Sequence, residues 1–197
     1  MRLTGRDLAA IRGERTVFSG LSFALAGGEL LAVTGANGAG KSTLLRLIAG
    51  LLRPAAGSVS LDPASEGGIG REVHYISHLD GLKTALTVRQ NLDFWRRLWQ
   101  GGAVEPALDR VGLGGLADLP VGVLSAGQKR RVAIARLLIA QRPLWLLDEP
   151  ATSLDAEAEA RLGTLIGEHL AAGGMAVVAT HRGLPLAPTA TLALGAP

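Results

Sequence analysis

Eight consecutive residues constrain this chain more than any others: Gly35-Ala36-Asn37-Gly38-Ala39-Gly40-Lys41-Ser42. They match G-x-x-x-x-G-K-[ST], a loop that cradles phosphate groups. Its glycines let backbone N–H groups turn inward around an anion, and a helix starting there points its positive dipole end at the same place. The loop works only between a strand and a helix, and the flanks comply. Residues 29–34 are a compact apolar run expected of a buried strand, and residues 42–52 are helix-forming. A Gly-rich turn with a solvated lysine would need no such context. Lys41 is therefore expected to neutralise the outer phosphates of ATP and Ser42 to ligate Mg²⁺. The backbone from Gly35 through Ala36, Asn37, Gly38, Ala39 and Gly40, with Thr43, is expected to complete the ATP cradle.

A second feature turns a phosphate cradle into a hydrolase. Leu144-Trp145-Leu146-Leu147-Asp148-Glu149 is an apolar strand ending in two acids. Asp148 at the strand end can hold Mg²⁺, directly or through water. Glu149, one residue on, can orient or deprotonate the attacking water. Such a strand is common by itself; downstream of a phosphate loop it points to nucleoside triphosphate hydrolysis.

Strands are also expected at residues 21–25, 59–61, 73–76 and 175–180, and helices at 88–99, 104–111, 128–140 and 157–170. Strands alternating with helices at both ends imply an α/β fold with a parallel sheet. The middle, about residues 79–130, reads as nearly all helix and as a lobe inserted into that sheet. The 197 residues suit one domain with such a lobe, and the hydrophobic share of 48% suffices for a core. The formal charge of +3 is spread along the chain, which argues against a nucleic-acid partner. Without cysteine, disulfides and thiolate metal sites are excluded. No uncharged run reaches the roughly 18 residues of a membrane-spanning helix, so the chain is expected to be soluble and to need another protein as its membrane anchor.

Between the two nucleotide motifs stands Leu124-Ser125-Ala126-Gly127-Gln128, before a helix rich in basic and small residues. At a helix start, Ser125 and Gly127 could donate to a phosphate; alone, the segment reads first as a helix N-cap by Ser125. Its order relative to the other motifs decides. It resembles the LSGGQ signature of ABC ATPases, with Ala126 replacing a glycine. Ser153-Leu154-Asp155 resembles the D-loop of that family, and Thr180-His181 its switch histidine. The resemblance covers essentially the whole chain. It implies a P-loop NTPase core of ABC type, about 1–78 and 131–197, with a small antiparallel β part and a helical lobe of about 79–130. It also implies catalytic roles for Glu149 and His181. Ser125, Gly127, Gln128 and Asp155 would contact ATP in a homodimer, where each nucleotide lies between the phosphate loop of one subunit and the signature loop of the other, and integral membrane subunits would complete the machine.

Two departures narrow the resemblance. His78 stands where most members have glutamine, and Arg12 stands where many have an aromatic residue on adenine. A guanidinium can stack on a base, so Arg12 is kept as an ATP contact. Both departures, with Glu14-Arg15-Thr16-Val17-Phe18-Ser19-Gly20-Leu21-Ser22-Phe23 and the run His78 to Thr87, resemble the ATP-binding subunits of cytochrome c maturation haem exporters. The implied workplace is the cytoplasmic face of the bacterial inner membrane. Other readings are an ABC ATPase for a drug or lipid, a soluble ABC protein of translation or DNA repair, or a non-ABC kinase. The last does not explain Ser125 to Gln128 or His181.

Overall fold

Three five-residue strands with every or nearly every side chain buried, β3 (Leu30–Thr34), β6 (Leu144–Asp148) and β7 (Met175–Ala179), form the centre of the chain's main sheet. Strands buried on both faces read as continuous apolar runs, which is why the sequence marks them clearly. In this computed structural model, which describes residues 1–64, 66–181, 183 and 186–195, their order is β5-β6-β7-β3-β8. Here β5 is Val73–Ile76 and β8 is Ala190–Ala193. The pairs β6–β7, β7–β3 and β3–β8 are parallel.

A second, three-stranded sheet has the order β2-β1-β4, from β1 (Arg2–Arg12), β2 (Arg15–Ala26) and β4 (Ala56–Asp62), with both pairings antiparallel. Leu3, Leu8 and Leu25 of this sheet share one buried cluster with Leu44, Leu45 and Ile48 of helix α1 (Lys41–Ile48) and with Leu144, Leu146 and Val177. A fully buried Leu contributes roughly 1.5–3 kcal/mol relative to an exposed one, so this shared cluster locks α1, and with it the end of the phosphate loop, onto the strands.

The chain divides into two compact units, residues 1–75, 142–149 and 166–197 in one and 76–141 with 150–165 in the other. Both sheets and α1 belong to the first, although Ile76 of β5 falls in the second. The second holds α2 (Val88–Trp99), α3 (Val104–Arg110), α4 (Ala126–Ile139) and the start of α5 (Ala156–Ala171). Both α2 and α4 open on reciprocal capping boxes, Thr87 with Gln90 and Ser125 with Gln128. Leu92 is buried, Trp95 and Trp99 are half-buried with ring centroids 4.5 Å apart, and Trp95 covers the Arg136 guanidinium at 5.4 Å. Burial lowers the Arg136 pKa to about 10, which still leaves it charged at neutral pH.

Some expectations need correction. The stretch from 79 to 130 is not nearly all helix: α2, α3 and the first turn of α4 are separated by irregular segments and one 3₁₀ turn, Val121–Val123. Helix α1 ends at Ile48 instead of running to residue 52. Gly50, at φ 73, adopts the left-handed conformation, and Leu51 N–H closes the end on the Arg46 carbonyl at 2.9 Å. Strands β1 and β8 were not anticipated. Among the described residues no helix is long and apolar enough to cross a membrane.

The main sheet also carries a pH-sensitive contact. His169 of α5 lies flat on Trp145 of β6, centroids 4.0 Å apart, and its Nε2 is 3.1 Å from the Met175 carbonyl. Burial lowers the His169 pKa, against the opposing effect of hydrogen bonds to the Met175 and Pro143 backbone. Because the folded pKa lies below the unfolded one, the unfolded chain takes up more protons under about pH 6.5, and stability falls as pH drops through that range. We expect a thermal midpoint that falls between pH 7 and 5.5, and a shallower fall in His169→Phe, which keeps the stack and loses the titration. Equal slopes in differential scanning fluorimetry would count against His169.

Candidate functional site

The phosphate loop has the geometry its glycines permit. Gly35 has φ 140, and a β-carbon there would lie 2.5 Å from the Leu194 carbonyl oxygen. Gly40 has φ 102 and ends the loop as the left-handed N-cap of α1, with no side chain capping the helix. The first N–H groups of α1 thus have no side-chain cap and are suited to an anion. Within this loop Ala36, Asn37 and Gly38 are exposed, whereas Gly40 and Lys41 are buried. The Lys41 ammonium folds back over the loop and donates to the carbonyls of Gly35 at 2.8 Å and Ala36 at 3.3 Å. Ser42 and Thr43 follow in the first turn of α1, both partly exposed.

The acids arrive from β6 in the same unit. Asp148 is 1% exposed at the end of the strand. The next residue, Glu149, leaves the sheet with φ 49, a left-handed conformation costly for a residue with a β-carbon. Its N–H donates to the Ala179 carbonyl at 2.8 Å, which fastens the turn to β7. One Glu149 oxygen, Oε1, lies 3.9 Å from Lys41 Nζ and 2.9 Å from His181 Nδ1. The chain reaches His181 through Thr180, whose N–H donates to the Val33 carbonyl at 3.1 Å. Lys41, Glu149 and His181 were read from three separate motifs, and the fold brings them together.

Tyr75 was missed. It lies on β5, next to β6, and packs against the core cluster. Its hydroxyl is buried without a completed hydrogen bond, although the Arg46 guanidinium and Asp148 carboxylate are both close enough to interact. Burial pushes its pKa up, the neighbouring Arg46 guanidinium opposes this, and the Asp148 charge adds to the rise. In sequence, Tyr75 was only one residue of an apolar strand.

The remaining expected residues lie elsewhere. Arg12 is exposed at the end of β1, paired in register with Arg15 across the hairpin. His78 and Ser125 are exposed residues of the second unit, and Gly127 and Gln128 are partly exposed there. Ser125 Oγ accepts from the Gln128 N–H at 3.2 Å, while Gln128 Oε1 accepts from the Ser125 N–H at 2.9 Å. The cap uses an oxygen lone pair and leaves the hydroxyl proton to donate. A β-carbon at Gly127 would lie 2.7 Å from the Ser153 carbonyl oxygen, so the backbone's close approach requires glycine. Asp155 caps α5, accepting from the Ala158 N–H at 2.8 Å.

Arg130 was also missed, hidden in the basic run Lys129-Arg130-Arg131. It is 3% exposed, and its guanidinium donates to the Pro150 carbonyl at 3.0 Å, the Ser77 carbonyl at 2.8 Å and Asp80 Oδ1 at 3.0 Å. It therefore ties the segment after Glu149 to the loop that carries His78, inside the second unit. We expect Arg130→Met to cost about 3 kcal/mol, the low end for breaking a buried ion pair, because Asp80 keeps some contact with water. Chemical denaturation checks this, and a loss under 1 kcal/mol would contradict it.

Comparison with known proteins agrees with this architecture. Residues 18–152 match the family model described as ABC transporter. The chain is 52% identical over 200 residues to the cytochrome c biogenesis ATP-binding export protein CcmA of Chelativorans sp. (strain BNC1), covering 100% of this chain and 99% of that one. It is 50% identical over 190 residues to the protein of the same name from Rhodopseudomonas palustris (strain BisB5), covering 95% of each. Among solved structures, a putative ABC transporter ATP-binding protein from Pyrococcus furiosus superposes with TM-score 0.84 over 98% of both chains at 23% identity, a likeness of fold. The structure of cbiO1 from Clostridium perfringens, described as part of the ABC transporter complex cbiONQ, matches with TM-score 0.75 and 29% identity, over 91% of this chain and 78% of that one. The chain belongs to the ABC transporter family as an ATP-binding, ATP-hydrolysing subunit, and within it to the cytochrome c biogenesis ATP-binding export proteins.

Proposed function

We propose that this chain binds Mg-ATP and hydrolyses it to drive a membrane complex of cytochrome c biogenesis that exports haem. The observation that carries the ATPase part is the convergence of Lys41 and His181 on one carboxylate oxygen of Glu149. The biological role rests on the likeness to the CcmA proteins. In this reading the loop from Gly35 to Thr43 cradles the phosphates, Lys41 neutralises them, and Glu149 polarises the attacking water while His181 holds it in place. Asp148 and the Ser42 hydroxyl are hard oxygen donors at the strand end and the helix start, the type Mg²⁺ prefers. Bound there, Mg²⁺ would offset the charge of the outer phosphates.

The functional unit is a homodimer of one-domain ABC ATPases, in which Ser125, Gly127, Gln128 and Asp155 of one subunit serve the nucleotide of the other. Arg12 stacks on adenine, and His78 links nucleotide state to the helical lobe. The chain is peripheral, on the cytoplasmic face of the inner membrane, held by integral subunits. The test is genetic and biochemical together. In a bacterium lacking its own copy, the wild-type gene should restore covalent haem in c-type cytochromes, and membrane subunits should co-purify with its product. Restoration of some other export and not of c-type cytochromes would redirect the reading to a drug or lipid exporter.

Membrane recruitment makes a further demand on the lobe. On α2, Phe94 and Leu98 are 58% and 59% exposed and lie four residues apart, on one face of the helix. We expect the double variant Phe94→Ser, Leu98→Ser to stay folded and bind ATP but to lose most membrane association, measured as the bound fraction in sedimented vesicles carrying the integral subunits. Unchanged recruitment would place the docking surface elsewhere.

A further inference from the structure

We propose that Tyr75 is a positioning residue for Asp148: its hydroxyl, held by Arg46, orients the carboxylate toward the metal. The inference rests on Asp148 being the Mg²⁺ ligand, as proposed above. Tyr75 stands on the strand beside β6, with its ring packed against the core cluster, so the hydroxyl's position is set by the sheet and by ring packing. That hydroxyl is buried, and the Arg46 guanidinium and the Asp148 carboxylate are both near enough to act on it. Hydrogen-bond chemistry then fixes the direction of the proton. A guanidinium only donates and an ionised carboxylate only accepts. The phenol oxygen must accept from Arg46 and donate to Asp148, giving the polarised chain Arg46 to Tyr75 to Asp148.

Neither bond is complete in the structure, yet a buried hydroxyl gains by completing both. A carboxylate oxygen engaged by the phenol cannot swing, so its partner oxygen stays aimed at the cation. Outer-shell partners of this kind typically change metal affinity roughly ten- to hundredfold when removed.

The test compares Tyr75→Phe, Arg46→Met and Asp148→Asn by fluorescence of a methylanthraniloyl ATP analogue titrated with Mg²⁺. Direct binding of Mn²⁺ in the presence of a non-hydrolysable analogue is followed by electron paramagnetic resonance. Tyr75→Phe should raise the half-saturating Mg²⁺ roughly tenfold or more, while nucleotide binding without metal stays at the wild-type level. Arg46→Met, at an exposed position, should shift it in the same direction by less. Asp148→Asn should shift it most. A wild-type Mg²⁺ requirement in Tyr75→Phe, with Asp148→Asn shifted, overturns the positioning role. So does an equal loss of binding with and without metal, which would mean packing alone. An unshifted Asp148→Asn removes the ligand assignment, and the Tyr75 role falls with it. Should Tyr75→Phe fail to fold, Arg46→Met decides: no shift there overturns the proposal.

Discussion

Glu149→Gln should bind Mg-ATP nearly as well as wild type while turnover drops by roughly 10²–10⁴-fold, the range lost with a general base. The substitution is isosteric, so the side chain can still accept from His181 through its amide oxygen. What it loses is the negative charge and the basicity of Oε1, the atom 2.9 Å from His181 and 3.9 Å from Lys41. The left-handed backbone at residue 149, tied to Ala179, is unaffected by the swap, so the fold should hold. Binding by fluorescence titration and phosphate release in single turnover separate the two effects. Phosphate release within threefold of wild type would remove Glu149 from the role of base. Tight binding with no turnover also predicts accumulation of the ATP-bound form, visible as a dimer by size-exclusion chromatography if the subunits pair around nucleotide.

The parts of the site that were legible are those built from contiguous residues. A loop whose glycines must turn and whose lysine must reach phosphate leaves its pattern in eight adjacent letters. Strands buried on both faces, such as β6 and β7, appear as plain apolar runs. Groups that meet only through the fold left no such trace. Arg130 sits between Lys129 and Arg131, and composition cannot tell which of three basic side chains turns inward; its partners at Ser77 and Asp80 are 53 and 50 residues away. Tyr75 looks like any strand aromatic until β5 is placed beside β6. Strand β1 was illegible for a different reason. Register shifts between Gly5 and Leu8 and between Leu8 and Ala10 break its alternation, and Asp7, at φ 47, turns out of the strand conformation. Periodicity fails wherever a bulge resets it.

Lys41→Ala alone should abolish detectable ATPase activity, with nucleotide affinity falling at least about a hundredfold, as for a charge-assisted phosphate contact of about 3 kcal/mol. Its loss should not unfold the chain, since the ammonium's visible bonds are to two loop carbonyls and Glu149. Ser125→Arg should be equally silent by another route: the cap of α4 is lost and a large cation occupies the helix start. If each ATP is shared between the phosphate loop of one subunit and the Ser125 segment of the other, the two defects fall on opposite sides of a site. Each homodimer then has no intact site. A heterodimer has one intact site and one doubly damaged site. Random pairing of equal amounts makes half the dimers mixed, so activity should return to about a quarter of wild type in a symmetric dimer whose sites act independently. Stronger coupling between the sites lowers that figure. The measurement is phosphate release from mixtures at several ratios in the assembled membrane complex, with dimer formation followed by crosslinking. Activity should peak at equal amounts and vanish at both ends. A flat baseline across all ratios, with heterodimers detected, would show that Ser125 does not serve the partner's nucleotide.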